Sequence, residues 1–199
     1  MIPEETHYAD DRSLLTVSNI LSADECDAFI RLTEGAGYAH APIGGGTLIR
    51  PDVRNNGRVM IDDPALATAL WQRLARYLPE VSYEFRVVGL NERFRYYRYN
   101  VGEYFKWHRD GAFVRSHFER SLFTAMVYLN DDFEGGDTDF GAVKITPRRG
   151  MALLFEHQQL HQGAPVTRGR KYVLRTDVMY RRGPLLLEGS LDREPGVHA

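Results

Sequence analysis

At 199 residues the chain can bury one sizeable core, and its 43% hydrophobic and 26% charged content is that of an ordinary globular domain. A formal net charge of -2 excludes general attraction to nucleic acid or to an acidic membrane surface, and the lone Cys26 excludes an internal disulfide or a cysteine metal cluster. The opening MIPEETHYADD is acidic, without the basic and apolar regions of a secretory leader, and no run is long and apolar enough to span a bilayer; a reducing, cytoplasmic setting is expected.

In chain order, Ser22-Ala23-Asp24-Glu25 has capping-box spacing, with Ser22 as N-cap and Glu25 three residues later. Cys26, Phe29, Ile30 and Thr33 then share one helical face before Gly35 and Gly37 stop the element. On that face Cys26 reads as a small buried hydrophobe rather than a nucleophile. Gly44-Gly45-Gly46 and Pro51 predict an irregular segment through about Arg58, a loop rather than a phosphate cradle. A second helix is predicted from Pro64 to Tyr77, with Pro64 in its first turn and Leu66, Leu70, Leu74 and Tyr77 supplying the apolar period. From Phe85 onward the pattern changes to strands, centred on 93–99, 123–129, 143–145, 151–155 and 171–180. Gly135-Gly136, Gly141 and Pro147-Arg148-Arg149-Gly150 separate them as turns. Two helices followed by many short strands predict a mainly β fold, a helix-flanked sandwich or jelly roll, and not a nucleotide-binding βαβ unit, for which no G-x-G-x-x-G start exists. One domain over 1–187 and a weakly ordered tail over 188–199 are expected.

His108-Arg109-Asp110, followed much later by His161, can supply two imidazoles and one carboxylate to an octahedral metal while leaving three positions open. In extended chain, His108 and Asp110 emerge on the same face and Arg109 points elsewhere. An isolated H-x-D is a common surface pattern, and seven histidines leave alternatives, His117 and His157 in particular. His157 would share a face with His161 in a helix, but the run after Phe155 into Gly163-Ala164-Pro165 predicts a turn. Lys171, Val173, Arg175, Asp177 and Met179 alternate onto one face of the last strand. Taken alone, Lys171 is a solvent-facing lysine, and Tyr99 and Tyr128 are strand tyrosines.

The ordered series Arg98-Tyr99, His108-Arg109-Asp110, Tyr128-Leu129-Asn130, Gly135-Gly136-Asp137-Thr138-Asp139-Phe140, Pro147-Arg148-Arg149-Gly150 leading into Phe155, His161-Gln162-Gly163-Ala164-Pro165-Val166 and Gly169-Arg170-Lys171 carries a resemblance. From about Phe94 to Tyr180 the chain resembles the catalytic core of the prolyl 4-hydroxylase-like branch of the iron(II)/2-oxoglutarate-dependent dioxygenases, a double-stranded β-helix of cupin-like, jelly-roll form. The resemblance implies metal-ligand and catalytic roles for His108, Asp110 and His161. It implies Fe(II), 2-oxoglutarate and O2, with ascorbate as an accompanying reductant. It further implies that Lys171 holds the distal carboxylate of 2-oxoglutarate, with Tyr128 and Tyr99 beside it. Tyr104 competes with Tyr99, because Gly102 can bend its hydroxyl inward. Arg175, on the Lys171 face, is a candidate for co-substrate or substrate carboxylate, or for pairing with Asp177 or Asp139. Arg168 is secondary, and Arg170 alternates outward.

The implied reaction hydroxylates an unactivated C–H bond and releases succinate and CO2, so no protein nucleophile or acid–base triad is required. Substrate contacts are sought in the 39–58 segment, with Arg50, Arg54, Asn55, Asn56 and Arg58, and at Trp107 and Arg109 in the basic 109–120 stretch. Phe105 and Phe113 form an apolar wall there or simply pack. A peptidyl proline is the leading acceptor and tailoring of a free amino acid or small metabolite the alternative; no nucleic acid or membrane partner is expected, and oligomeric state is open. Two non-enzymatic readings compete, a cupin-like metal or ligand-binding module and an interaction domain with an incidental H-x-D. Zinc hydrolysis lacks an assigned general base. Halogenation is disfavoured because Asp110 fills the place a halide would need.

Overall fold

A computed structural model describes residues 2–9, 12–43 and 47–183; the triple glycine and the predicted tail lie outside the described residues. Helix α1 (Ala23–Ala36) begins with the expected reciprocal cap, Glu25 N donating to Ser22 Oγ at 3.2 Å and Ser22 N to Glu25 Oε2 at 2.7 Å. Gly37, at φ +80°, ends it, whereas Gly35 stays inside the helix. Helix α2 (Pro64–Leu74) is capped by Asp63, whose carboxylate accepts from Leu66 N at 2.9 Å, and Pro64 fills a first-turn position that needs no N–H. Its predicted last turn, Ala75–Tyr77, tightens into a 3-10 helix.

The helices cover one face of an antiparallel sheet of ten strands among the described residues. The Lys171–Arg182 strand lies at its centre, flanked by Arg93–Tyr99 on one side and Glu119–Tyr128 on the other. Strand alternation divides the side chains between two cores. Tyr96, Ala125, Val127, Leu154 and Leu174 pack under the helices with Cys26, Leu70 and Leu74. Their chain neighbours Tyr97, Tyr99, Tyr128, Leu153, Phe155 and Val173 pack on the opposite face. That second face looks onto a smaller sheet with strand order Lys144–Ile145, Thr138–Asp139, His161–Gly163, Phe105–His108. Helices outside and two antiparallel sheets enclosing a cavity make the expected jelly roll. Unforeseen were the Glu5–His7 and Leu14–Val17 strands at the sheet edge, and Gly57–Asp62 paired with Arg93–Tyr99, which cuts the predicted irregular segment short.

Gly150 locks the helical layer to the sheet. It sits at φ +75°, and a Cβ there would lie 2.2 Å from the Leu21 carbonyl oxygen. Its own carbonyl accepts from Ile20 N and Leu21 N at 2.8 and 3.2 Å. Gly150→Ala should therefore cost more than the ~1–2 kcal/mol of a left-handed backbone alone. The check is the midpoint of urea unfolding, and an unshifted midpoint would contradict this close approach.

Candidate metal centre and its cavity

The Phe105–His108 and His161–Gly163 strands pair antiparallel with His108 opposite His161, so the small sheet closes a gap the sequence leaves open. The two imidazole centroids are 4.2 Å apart. Asp110, just beyond the first strand, is held by its N–H to the His157 carbonyl at 3.1 Å, and its Oδ1 lies 3.6 Å from His108 Nε2. One ligand atom from each of His108, Asp110 and His161 falls within 4.8 Å of the others. Ligands about 2.1 Å from one cation stand about 3 Å apart, so small side-chain movements close the set.

The donor chemistry fits a cation. His108 Nδ1 donates to the Lys106 carbonyl at 2.7 Å and His161 Nδ1 to the Gln159 carbonyl at 3.0 Å. A carbonyl only accepts, so both protons sit on Nδ1 and both Nε2 lone pairs remain free. Burial pushes the His161 pKa down to about 4 against the opposing pull of Asp110, which keeps the ring neutral at neutral pH. Burial alone would raise the Asp110 carboxyl. The charge of Arg175 is the largest influence against it, and the group is held well below the usual carboxylate range. Asp110 Oδ2 is already engaged, by Thr124 Oγ1 at 2.6 Å and Arg175 Nη2 at 3.1 Å.

Beside this cluster runs a cavity between the sheets, with Tyr97, Tyr99, Val173 and Lys171 in its wall. Lys171 is 3% exposed; its Nζ donates to the Gly136 carbonyl at 2.5 Å and lies 5.3 Å from the Tyr99 and Tyr128 rings. Burial lowers its pKa to about 7 against the opposing pull of Asp137. A buried ammonium so placed is a receptor for an anion.

Residues 94–176 match the family model of the 2OG-Fe(II) oxygenase superfamily, and the span contains the His108–Asp110–His161 cluster and Lys171. The chain carries a 2OG-Fe(II) oxygenase domain. A PKHD-type hydroxylase of Alteromonas mediterranea is 26% identical over 180 residues, covering 79% of this chain and 74% of the relative. The viral collagen prolyl hydroxylase of Paramecium bursaria Chlorella virus-1, solved as a 2OG complex, superposes with a TM-score of 0.62 at 22% identity over 88% of this chain and 99% of that one. The Trichoplax adhaerens prolyl hydroxylase, solved with a hypoxia inducible factor peptide fragment, gives 0.67 at 15% identity over 86% and 84%. Both share the fold of this oxygenase domain. Its metal is Fe(II), and 2-oxoglutarate and O2 are its co-substrates. No described helix is long and apolar enough to cross a membrane.

The oxygenase domain distributes the other sequence candidates unevenly. Tyr99 stands opposite Lys171 across the strand pair and lines the cavity. Tyr128 is fully buried, its hydroxyl 2.7 Å from Thr138 Oγ1, and Thr138 rather than Tyr128 reaches the cavity wall. Gly102 does bend the chain, at φ +82°, but Tyr104 turns outward and donates to the Pro51 carbonyl at 3.2 Å, because the preceding loop offers that acceptor. Arg175 pairs with Asp110 and, at 3.4 Å, with Asp177; Asp139 is engaged by Gly141 N and Gln162 instead.

Arg54 is buried rather than displayed. Its guanidinium lies 4.2 Å over the Phe105 ring, which itself stacks 3.5 Å from the His108 ring. Asn55 accepts from Tyr104 N at 2.8 Å and so shapes the turn. Trp107 is 44% exposed at the surface, and Arg109 donates to the Gln158 carbonyl at 3.0 Å, turned from the metal as expected. Arg50 and Arg168 form surface pairs with Asp52 and Glu134, and Arg170 faces outward to Glu34. Tyr97 and Met126 in the wall were missed, although they share strand faces with Tyr99 and Tyr128 and the alternation rule marks them. Thr138, in a two-residue strand, carries no such signal.

Proposed function

We propose that this oxygenase domain hydroxylates an unactivated C–H bond, with a prolyl residue of a peptide as its leading acceptor. The observation that carries the reading is the convergence of His108, Asp110 and His161 beside the buried Lys171. Relatives described as PKHD-type and prolyl hydroxylases support the acceptor. Bound Fe(II), together with 2-oxoglutarate and O2, supplies the oxidant that attacks the C–H bond, and succinate and CO2 leave as co-products.

The chain's own residues bind, orient and exclude water. His108 and His161 would hold the metal through Nε2 and Asp110 through Oδ1, a donor set of two imidazoles and one carboxylate suited to Fe(II). Lys171 takes the distal carboxylate of 2-oxoglutarate, with the Tyr99 ring beside the ammonium. Tyr128 acts from behind, holding Thr138 in the wall. Lys171 and Arg175 stand about 13 Å apart along the backbone of one strand, and both side chains line the cavity, so the ammonium and the Arg175–Asp110 pair sit at different points of its wall. Tyr97, Phe105 and Val173 keep the cavity apolar, so the reacting groups are shielded from bulk water. Exposed Trp107 and Arg109 meet substrate at the rim; Arg54 supports Phe105 from beneath, Asn55 orders the adjoining turn, and Arg175 steers any substrate carboxylate. The described residues act as one domain.

The test is aerobic incubation with Fe(II), ascorbate, 2-oxoglutarate and either proline-containing peptides or free amino acids, reading succinate and product mass. A peptide heavier by one oxygen atom supports the reading. A hydroxylated small molecule shifts the acceptor to a metabolite, and absence of succinate with every acceptor rejects hydroxylation.

Lys171 also sets a pH dependence. Burial holds its pKa at about 7, and a bound carboxylate favours the ammonium and raises it. Affinity for 2-oxoglutarate is then full below about pH 7 and falls, by up to ~10-fold per pH unit, as pH rises toward the bound-state pKa. Lys171→Arg should flatten this profile, and Lys171→Ala should raise the 2-oxoglutarate KM by roughly 10- to 100-fold. A wild-type KM that stays constant between about pH 6 and 9 contradicts the lysine contact.

A further inference from the structure

We infer that Thr124 and His157 are positioning residues, links in a one-way hydrogen-bond chain that aims the Asp110 carboxylate so that Oδ1 faces the metal and Oδ2 is kept from it. The inference rests on the ligand role proposed for Asp110. None of its other members belongs to the metal cluster.

The direction of the chain follows from valence. Thr124 Oγ1 lies 2.6 Å from Asp110 Oδ2, and an ionised carboxylate only accepts, so the single threonine proton is committed to Asp110. His157 Nδ1 lies 3.1 Å from the same Oγ1. With no threonine proton left for it, Nδ1 must be the donor. Ser121 Oγ carries one proton, and among the hydrogen bonds of the described residues Nε2 is the acceptor within its reach. Ser121 Oγ, 2.8 Å from Nε2, must donate to it, and in turn accepts the Phe113 N–H at 2.8 Å. Every proton therefore points toward Asp110, starting from a backbone amide that cannot reverse.

The chain is closed to solvent and fixed at several points. Ser121 and Thr124 are fully buried and His157 is 3% exposed. The His157 carbonyl accepts Asp110 N at 3.1 Å, and its own N–H donates to the Leu122 carbonyl at 2.9 Å. Arg175 supplies a second arm, with Nη2 at 3.1 Å from Asp110 Oδ2 and 3.3 Å from Thr124 Oγ1. Held by both, the carboxylate binds through one oxygen. Released from Thr124, it would be held on Oδ2 by Arg175 alone and could turn to offer both oxygens, filling a position the co-substrates need.

Two measurements test this. In the metal-free wild-type protein, 15N NMR of the imidazoles should show His157 as the Nδ1–H tautomer, although free imidazole side chains favour Nε2–H. Thr124→Val keeps the shape and removes the acceptor. It should release that tautomer, weaken Co(II) binding by roughly 10- to 100-fold and alter the Co(II) visible spectrum, while Thr124→Ser stays close to wild type. A wild-type His157 protonated at Nε2 overturns the inference, and this arm stands even if Thr124→Val fails to fold. Wild-type Co(II) affinity and spectrum in Thr124→Val overturn it as well, with the metal reading intact. Wild-type protein that binds no Co(II) despite the Nδ1–H tautomer removes the ligand role of Asp110, and the inference falls with it.

Discussion

Replacing Asp110 by alanine is expected to abolish 2-oxoglutarate-dependent succinate release and to weaken Mn(II) or Co(II) binding by more than the ~10- to 100-fold typical of losing an outer partner. The carboxylate is the one anionic donor in the cluster, and it also faces Arg175 at 3.1 Å. Its depressed pKa means that it favours the fold at neutral pH. That contribution is complete above the ordinary carboxylate value and is lost only as pH falls through the lower folded value. Asp110→Ala should therefore also lower the stability of the metal-free protein near neutrality, and the difference from wild type should shrink in strong acid. His108→Ala should abolish turnover equally while sparing this ion pair. Turnover at the wild-type rate in either variant would remove the ligand assignment.

The largest expected loss of stability comes from a residue that touches no co-substrate. Asp177 is 1% exposed and accepts from Arg95 Nη1 at 2.9 Å and Arg175 Nη2 at 3.4 Å. Guanidinium groups do not neutralise themselves by losing a proton, so Asp177→Ala takes the carboxylate from Arg95 and leaves Arg175 to Asp110 alone. The expected cost is ~3–5 kcal/mol, toward the lower end because Arg95 keeps some access to water. For a chain of this length that lowers Tm by on the order of 10 °C. Thermal melting of Asp177→Ala beside an Arg175→Met/Asp177→Ala double variant is the measurement. Partial recovery in the double variant identifies the stranded charge as the cause, and a Tm unchanged in Asp177→Ala would show that Asp110 alone balances Arg175.

What the sequence disclosed was local or periodic. The Ser22–Glu25 cap and Pro64 start both helices as expected, because their partners lie within one turn. Alternation placed Lys171 and Arg175 on one inward face, since a strand fixes that geometry whatever it pairs with. The meeting of His108 with His161 depends on the register of two short strands, which neither segment encodes alone. Strands such as Thr138–Asp139 and Lys144–Ile145 are too short to show a period, so Thr138 stayed hidden. Tyr104 turned away because a carbonyl from a distant loop captures its hydroxyl, and Arg54 went inward because two aromatic faces were there to receive it. Those outcomes belong to tertiary contacts. His157 was weighed as a ligand and stands instead one residue behind a ligand, a distinction only the fold makes.

The Lys171–Arg182 strand carries the ammonium for the anion, the guanidinium at the metal carboxylate and the aspartate that balances two arginines, separated by even steps of four and two residues. Inserting or deleting a single amino acid between Lys171 and Asp177 would reverse inside and outside beyond that point, sending Val178 or Thr176 toward the cavity in place of Asp177. Point substitutions can retune this strand one position at a time, but its length is frozen. A change of length made in a connecting loop leaves the even spacing of Lys171, Arg175 and Asp177 intact, so the rim can be reshaped without disturbing the anion and metal ends of the cavity.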